Sequence, residues 1–336
     1  MAGLTQFSQG DIVNDVSKVV TSTWSNNTNN LLTNQFTSSL QAVYGTPTSS
    51  GAHFIEIFNK AQTDTTAEVQ YSIAYGHKAG SGSLDFTNDV GAIGQSPTKN
   101  IYSQYKQLVF GDESRNFSFD GHTPEDIYVI NINRARYRHN LKPGTLDLRI
   151  SGSLASTTSP GSSTTLHLTD DSITATGSAV LTNAGRQFTL VSGSLGVRLG
   201  DSNIQVAGSG SYGLFYPDSG FIILNPDALD HHSETVVPVT TANTDGKNPE
   251  KLFEAIKGAG HFIVDSEEKV SSQFYFARAR NFEYNYTTNP SFVDNNGNVS
   301  NNSFIDNPTV FITTIGLYNN EGDLVAVAKL SQPVTK

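Results

Sequence analysis

The sequence predicts a mainly β protein with a few short helices (α+β). Antiparallel sheets or a sandwich with long polar loops are expected, preceded by an N-terminal helical arm. Three observations predict this class. Apolar and polar residues alternate along many short runs, such as EVQYSIAY (68–75), which is the period of a half-buried strand. Gly, Pro, Asn and Asp punctuate those runs at short intervals, where turns are needed. Aromatic residues carry much of the apolar surface, with 13 Tyr and 19 Phe, and such side chains favour strands and interfaces over helix cores. Hydrophobic residues make up 36% of the chain, a level that suits sheets with one wet face.

Taken in order, the elements follow from these patterns. Asp11 is placed to cap a helix, and Ile12, Val16, Val19, Val20 and Trp24 follow at helical spacing. The β-branched content makes that helix weak in isolation, so it needs a partner surface. A second short run, Leu31, Leu32, Phe36 and Leu40, continues the spacing beyond an Asn-rich break at 25–30. HFIEIFN (53–59) and EVQYSIAY read as strands, the latter with Val69, Tyr71, Ile73 and Tyr75 on one face. Residues 97–110 read as a helix facing inward through Ile101, Tyr105, Leu108 and Val109. Ile127, Val129 and Ile132 mark a strand, and Leu146, Leu148 and Ile150 mark the next, beyond a Lys142-Pro143-Gly144 turn. Residues 151–163 are a Gly/Ser/Thr-rich connection, followed by short strands to about Leu224. Asn248 caps a helix with Pro249 at its first position, Leu252, Phe253 and Ile256 inward and Gly258 as its stop. QFYFARARNFEYNY (273–286) reads as a strand. VFITTIGLY (310–318) and LVAVAKL (324–330) form a hairpin around Asn319-Asn320-Glu321-Gly322-Asp323. One face of that hairpin is expected against the main sheet and its last strand at a sheet edge.

These elements divide the chain into an arm (1–45), a first β-rich region (46–150) and a second (151–336) with the helix near 248–257 and the hairpin. The charge balance, 21 Lys+Arg against 31 Asp+Glu for a net −10, argues against nucleic acid or an anionic membrane as main partner. No cysteine is present, which removes disulfides and thiolate metal sites. The opening residues have neither a basic nor an apolar leader region, and no apolar run reaches membrane-spanning length.

Motifs of catalysis and cofactor binding are weak. The loop Gly76–Ser83 places Lys78 before the second glycine and opens no helix pattern, unlike a phosphate-binding loop. Asp294–Asn298 lacks the glycine position and distal Glu of a calcium loop. The eight histidines make no HxH or HExxH spacing, and no GxSxG elbow occurs. Carboxylate pairs such as Asp170-Asp171 and Glu267-Glu268 sit in polar sequence, and a sugar-cleaving pair would have to converge from separate elements. No cofactor and no catalytic residue are expected.

Arginines are the exception in this acidic chain. Arg134, Arg136 and Arg138 occupy every second position, and Arg278 and Arg280 repeat the pattern. On a strand the first three would share one face and need acids from elsewhere, since unpaired buried charge is costly. They either grip an anionic partner or subunit, or form ion pairs within the fold. The expected interface residues are therefore Trp24, Arg134, Arg136, Arg138, Arg278, Arg280, Val325 and Val327.

Six segments resemble virion structural proteins of contractile-tailed phages infecting cyanobacteria and other marine bacteria. They are SIAYGHKAGSGSL (72–84), IYSQYKQLVFGDE (101–113), INRARYRHNLKPGTLDL (132–148), GSYGLFYPDSGFIILN (210–225), FARARNFEYNYTTNPSF (276–292) and ITTIGLYNNEGDLVAVAKLSQP (312–333). The resemblance implies a non-enzymatic tail or baseplate part, present in several copies in the virion, assembled in the host cytoplasm beside other tail proteins. It transfers no catalytic residues. Its members continue past the position of Lys336 with a further strand-like segment, so the chain is expected to continue. The reading from another class is a carbohydrate-binding or polysaccharide-degrading receptor-contact protein, which would show converging aromatics and carboxylates in a cleft.

Overall fold

The structure, a computed structural model, describes residues 5–24, 37–38, 54–60, 64–82, 97–154, 163–173, 179–199, 208–230, 235–236 and 248–336. The run Leu31 to Leu40, most of the 151–163 connection and His231-His232 lie outside the described residues, apart from two short strand positions.

Along the chain the elements are β1 (Ile12–Ser22), β2 (Thr37–Ser38), β3 (Phe54–Phe58), β4 (Val69–His77), α1 (Pro97–Phe110), β5 (Asp126–Ile132), β6 (Asn140–Leu141) and β7 (Asp147–Leu154). Next come β8 (Ser163–Asp170), β9 (Val180–Thr182), β10 (Gly185–Ser194), β11 (Val197–Arg198), β12 (Gly213–Tyr216), β13 (Phe221–Leu224), α2 (Pro226–Asp230) and β14 (Thr235–Val236). Last are α3 (Asn248–Ala259), β15 (Phe262–Ile263), β16 (Asp265–Tyr275), α4 (Asn302–Asp306), β17 (Phe311–Tyr318) and β18 (Leu324–Thr335). The fold is mainly β with antiparallel sheets, as the alternation predicts. Contacts divide it into two compact units, Lys18–Lys269 and Met1–Ser17 with Val270–Lys336.

The larger unit is built on a 13-stranded sheet whose main path runs β14-β7-β8-β10-β12-β13-β5-β4-β3-β2. Helix α3 contacts β7 near one end of that path and β4 and β3 near the other. A single helix meets both because the sheet curls around it. Its inward residues, Leu252, Phe253 and Ile256, are buried among Tyr71, Ile73, Leu148 and Ile150. The helix runs past Gly258 and ends where Gly260, at φ 70°, donates to the Ile256 carbonyl, a left-handed stop that glycine makes at little cost.

The other face of the same sheet is covered by α1. Ile127 and Val129 of β5 join Tyr102, Val109 and Phe221 on that side, while Tyr128, Ile130 and Ile132 face α3. Burial on both faces explains why DIYVINI is nearly continuously apolar instead of alternating. The inward face of α1 is Tyr102, Tyr105 and Val109, and Leu108 is exposed. Gly76 of β4 sets how closely this helix approaches: a Cβ there would lie 2.8 Å from the Tyr102 backbone nitrogen. The glycine opening the loop at 76 therefore serves helix–sheet packing.

Two expectations need correction. Residues Ile12–Ser22 form strand β1, paired with β16, and not a helical arm. The same β-branched residues that weaken a helix there fit a pleated strand, and β16 supplies the hydrogen bonds. Asp11 locks a 3-10 turn instead of capping a helix, since its carboxylate accepts from the Ser8 backbone N–H at 2.9 Å and the Ser8 hydroxyl at 2.6 Å. In the C-terminal region, β16 ends at Tyr275, so Arg278 and Arg280 lie on no strand. The Phe276 N–H bonds the Asp11 carbonyl, and beyond it the chain turns through Asn281–Tyr284.

Within the smaller unit, β17 and β18 pair as a hairpin closed by the Asn319 N–H to Asp323 carbonyl bond, where the turn residues predict it. They form a separate two-stranded sheet, not part of the main one. Among the described residues both outer edges are open, and neither strand holds a buried residue, where one buried face is expected.

Candidate functional site

The region Asn133 to Arg138 is shaped by an asparagine. Strand β5 ends at Ile132, and the Asn133 side chain accepts from the Ala135 N–H at 2.9 Å. This side-chain turn competes with the β ladder and folds Arg134–Arg136 into a 3-10 turn. The arginines therefore do not form a strand ladder on one face, a correction of the alternating pattern. Asn133 was the available signal.

The turn nevertheless brings Trp24, Arg134, Arg136 and Arg138 to one place. Together with Thr21, Ser22, Thr23, Ala135 and Tyr137 they line an open groove of ≈ 690 Å³. Each plays a different part. Trp24 is buried, 2% exposed, with its indole N–H donating to the Phe262 carbonyl at 2.9 Å and its ring against Tyr71 and Phe262. It is the groove's anchored floor. Arg134 donates to the Tyr137 carbonyl at 2.6 Å and lies over the Tyr137 ring, 4.6 Å from its centroid. Arg136 pairs with Glu68 at 2.7 Å. Arg138 is held through its backbone N–H to Ser266 Oγ at 2.9 Å, and its side chain is exposed. Among the described residues neither Arg134 nor Arg138 pairs with a carboxylate, so two cationic heads remain at the groove. That arrangement suits a carboxylate-bearing partner, because guanidinium groups grip carboxylates through paired hydrogen bonds.

Replacing Arg134, Arg136 and Arg138 together with Gln should leave the fold nearly intact. One partly exposed ion pair contributes on the order of 1 kcal/mol or less. A thermal melt should therefore move by a few degrees at most while association with an acidic partner is lost. A collapse of the fold would show that the three residues serve internal structure alone.

Buried Asp147 and Asp126 elsewhere are engaged by their neighbours. Asp147, 1% exposed, accepts from Arg149, from the Ser194 hydroxyl at 2.7 Å, and meets His261 at 3.0 Å. Burial alone would raise its pKa, but Arg149, Ser194 and His261 outweigh burial and hold it below the ordinary value. Serine and histidine both contact the carboxylate here and not each other, so the cluster lacks the nucleophile–base order of a triad. Asp126 is buried beside Tyr75, whose hydroxyl donates to it at 2.8 Å. At Asp294 the carboxylate is taken up by the Asn296 and Asn298 N–H groups, which makes 294–298 a closed polar turn.

The second candidate surface is the smaller unit. Val325 and Val327 are 70% and 57% exposed, and Phe274, Phe276, Phe282 and Tyr286 of the same unit are exposed as well. Among the described residues from Val270 to Lys336, Val293 alone is buried. Arg278 pairs with Asp11 at 2.9 Å, and the backbone N–H of Arg280 bonds Glu283. Lys336 ties the end of β18 to Asn281, Glu283 and Asn285. These polar contacts hold the unit's shape while its apolar side chains face outward. Spacing alone did not reveal this surface, since an alternating run reads the same whether its apolar face meets a core or a partner. No protein-family model matches the chain, and no curated protein or solved structure matches it either.

Proposed function

We propose that this protein is a non-enzymatic structural subunit of a contractile-tailed phage virion, a baseplate component that acts through protein–protein contacts. The observation that carries the reading is the smaller unit, in which the large apolar side chains face outward. Ordinary monomers rarely expose more than a few hundred Å² of contiguous apolar surface, and larger expanses mark interaction sites. The six segments resembling phage tail proteins point the same way, and the chain has no cysteine, so its assembly needs no oxidation step. The basic groove offers a second contact, to an acidic neighbour, while the hairpin edges offer strand addition. Its partners are other tail or baseplate proteins, and it is present in several copies, assembled in the host cytoplasm.

Particles grown from a phage with an early stop codon in this gene test the reading by cryo-electron microscopy and mass spectrometry of purified tails. Loss of baseplate density together with loss of this chain is expected. Complete, infectious tails lacking the chain would overturn it.

A further inference from the structure

We infer that the smaller unit, Met1–Ser17 with Val270–Lys336, is the homo-oligomerisation element of this protein, its outward apolar side chains being covered by the same unit of further copies of the chain. The inference rests on the assembly reading and names the first partner in that assembly.

The unit lacks a core of its own. Its described residues bury Val293 and Asp11 and little else. A two-stranded hairpin such as β17–β18 is marginal in water without a surface to cover it, and small units with sparse cores depend on staples or oligomerisation. Disulfides are excluded by the absence of cysteine. Oligomerisation would supply the missing burial.

The amount of exposed surface sets the class of partner. Nine Phe and Tyr side chains of the unit, from Phe7 to Tyr318, are between 37% and 73% exposed. At roughly 100 Å² left open on each, the aromatics alone present about 900 Å². That exceeds the share of about 800 Å² per partner in a standard interface, before any Val, Ile or Leu is counted. Burial on this scale is that of a specific, stable interface.

Geometry selects a second copy. In the part of β1 that belongs to this unit, Ile12 and Val16 point to one face and Val13 to the other, and all three are exposed. One globular neighbour covers one face of a ribbon. Identical ribbons interleaved about a symmetry axis cover both, because each copy meets the others through different faces of the same strand.

Size-exclusion chromatography with light scattering on the purified full chain, from about 1 to 50 µM, tests this. The wild-type chain is expected at a whole-number multiple of the monomer mass. Val325→Glu with Val327→Glu should return it to monomer, with hydrogen-exchange protection lost over 311–335 and the emission of Trp24, in the larger unit, unchanged. A milder pair, Val325→Thr with Val327→Thr, keeps strand propensity and should weaken association at least about tenfold, which guards against a variant that merely misfolds. A monomeric wild-type chain at every concentration overturns the inference, as does an oligomer that neither pair weakens. A monomer that still enters particles would leave the virion reading standing, and an oligomer absent from particles would do the reverse.

Discussion

Trp24→Ala is expected to destabilise the larger unit by about 3–5 kcal/mol, the range for removing a large buried aromatic side chain. The ring is 2% exposed and packs against Tyr71 at 5.8 Å and Phe262 at 5.0 Å between centroids. Its removal leaves a cavity between β1's end and the α3 side of the sheet, where Phe262 and Tyr71 also belong to the core. It also leaves the Phe262 carbonyl without the indole donor, which adds on the order of 1 kcal/mol. Urea unfolding followed by circular dichroism reads the loss. Trp24→Phe should recover most of the packing but not the hydrogen bond, and so fall between. Because Trp24 is the chain's single tryptophan, wild-type emission should be blue-shifted and shift red in the same transition. A loss below about 1 kcal/mol in the alanine variant would contradict a buried indole.

Asp126→Asn is expected to stabilise the protein at pH 8 and to have little effect at pH 3. Burial raises the Asp126 pKa to about 6 from 3.8; the Tyr75 hydrogen bond opposes the rise, and the Asp227 and Glu125 carboxylates add to it. A carboxyl with a raised folded pKa favours the folded state while protonated. That contribution is complete below about pH 3.8 and disappears as pH rises through about 6. The difference corresponds to on the order of 3 kcal/mol above that window. Asparagine keeps an acceptor for the Tyr75 hydroxyl and cannot ionise, so it removes the penalty. Paired denaturation curves at pH 3, 5 and 8 check the sign, and a gap between variant and parent that stays constant across them would refute it.

Much of the fold was legible because it depends on local chemistry. The helix at 97–110 and the helix start at Asn248 coincide with α1 and α3, since their periodic faces and start signals lie within one short segment. The hairpin at 310–330 was legible because its turn residues lie between two apolar runs. Of the candidate site, the importance of the arginines and Trp24 was visible, while their arrangement was not. The turn at Arg134–Arg136 depends on one Asn133 side chain winning over the ladder. The anchoring of Trp24 depends on Phe262, 238 residues away.

The sequence by itself determined which residues are apolar and where the chain can turn. Those properties are local, so composition and spacing suffice to decide them. Only the tertiary structure decided that Ile12–Ser22 is a strand, that α3 fills a curled sheet, and that the hairpin forms a two-stranded sheet of its own. The reason is that a β-branched segment has similar local energies in several conformations, and the backbone groups of β16 tip the balance for β1. Likewise, alternation states that a strand has an apolar face but leaves open what covers it. In the larger unit that cover is α1 and α3; in the smaller it is absent among the described residues.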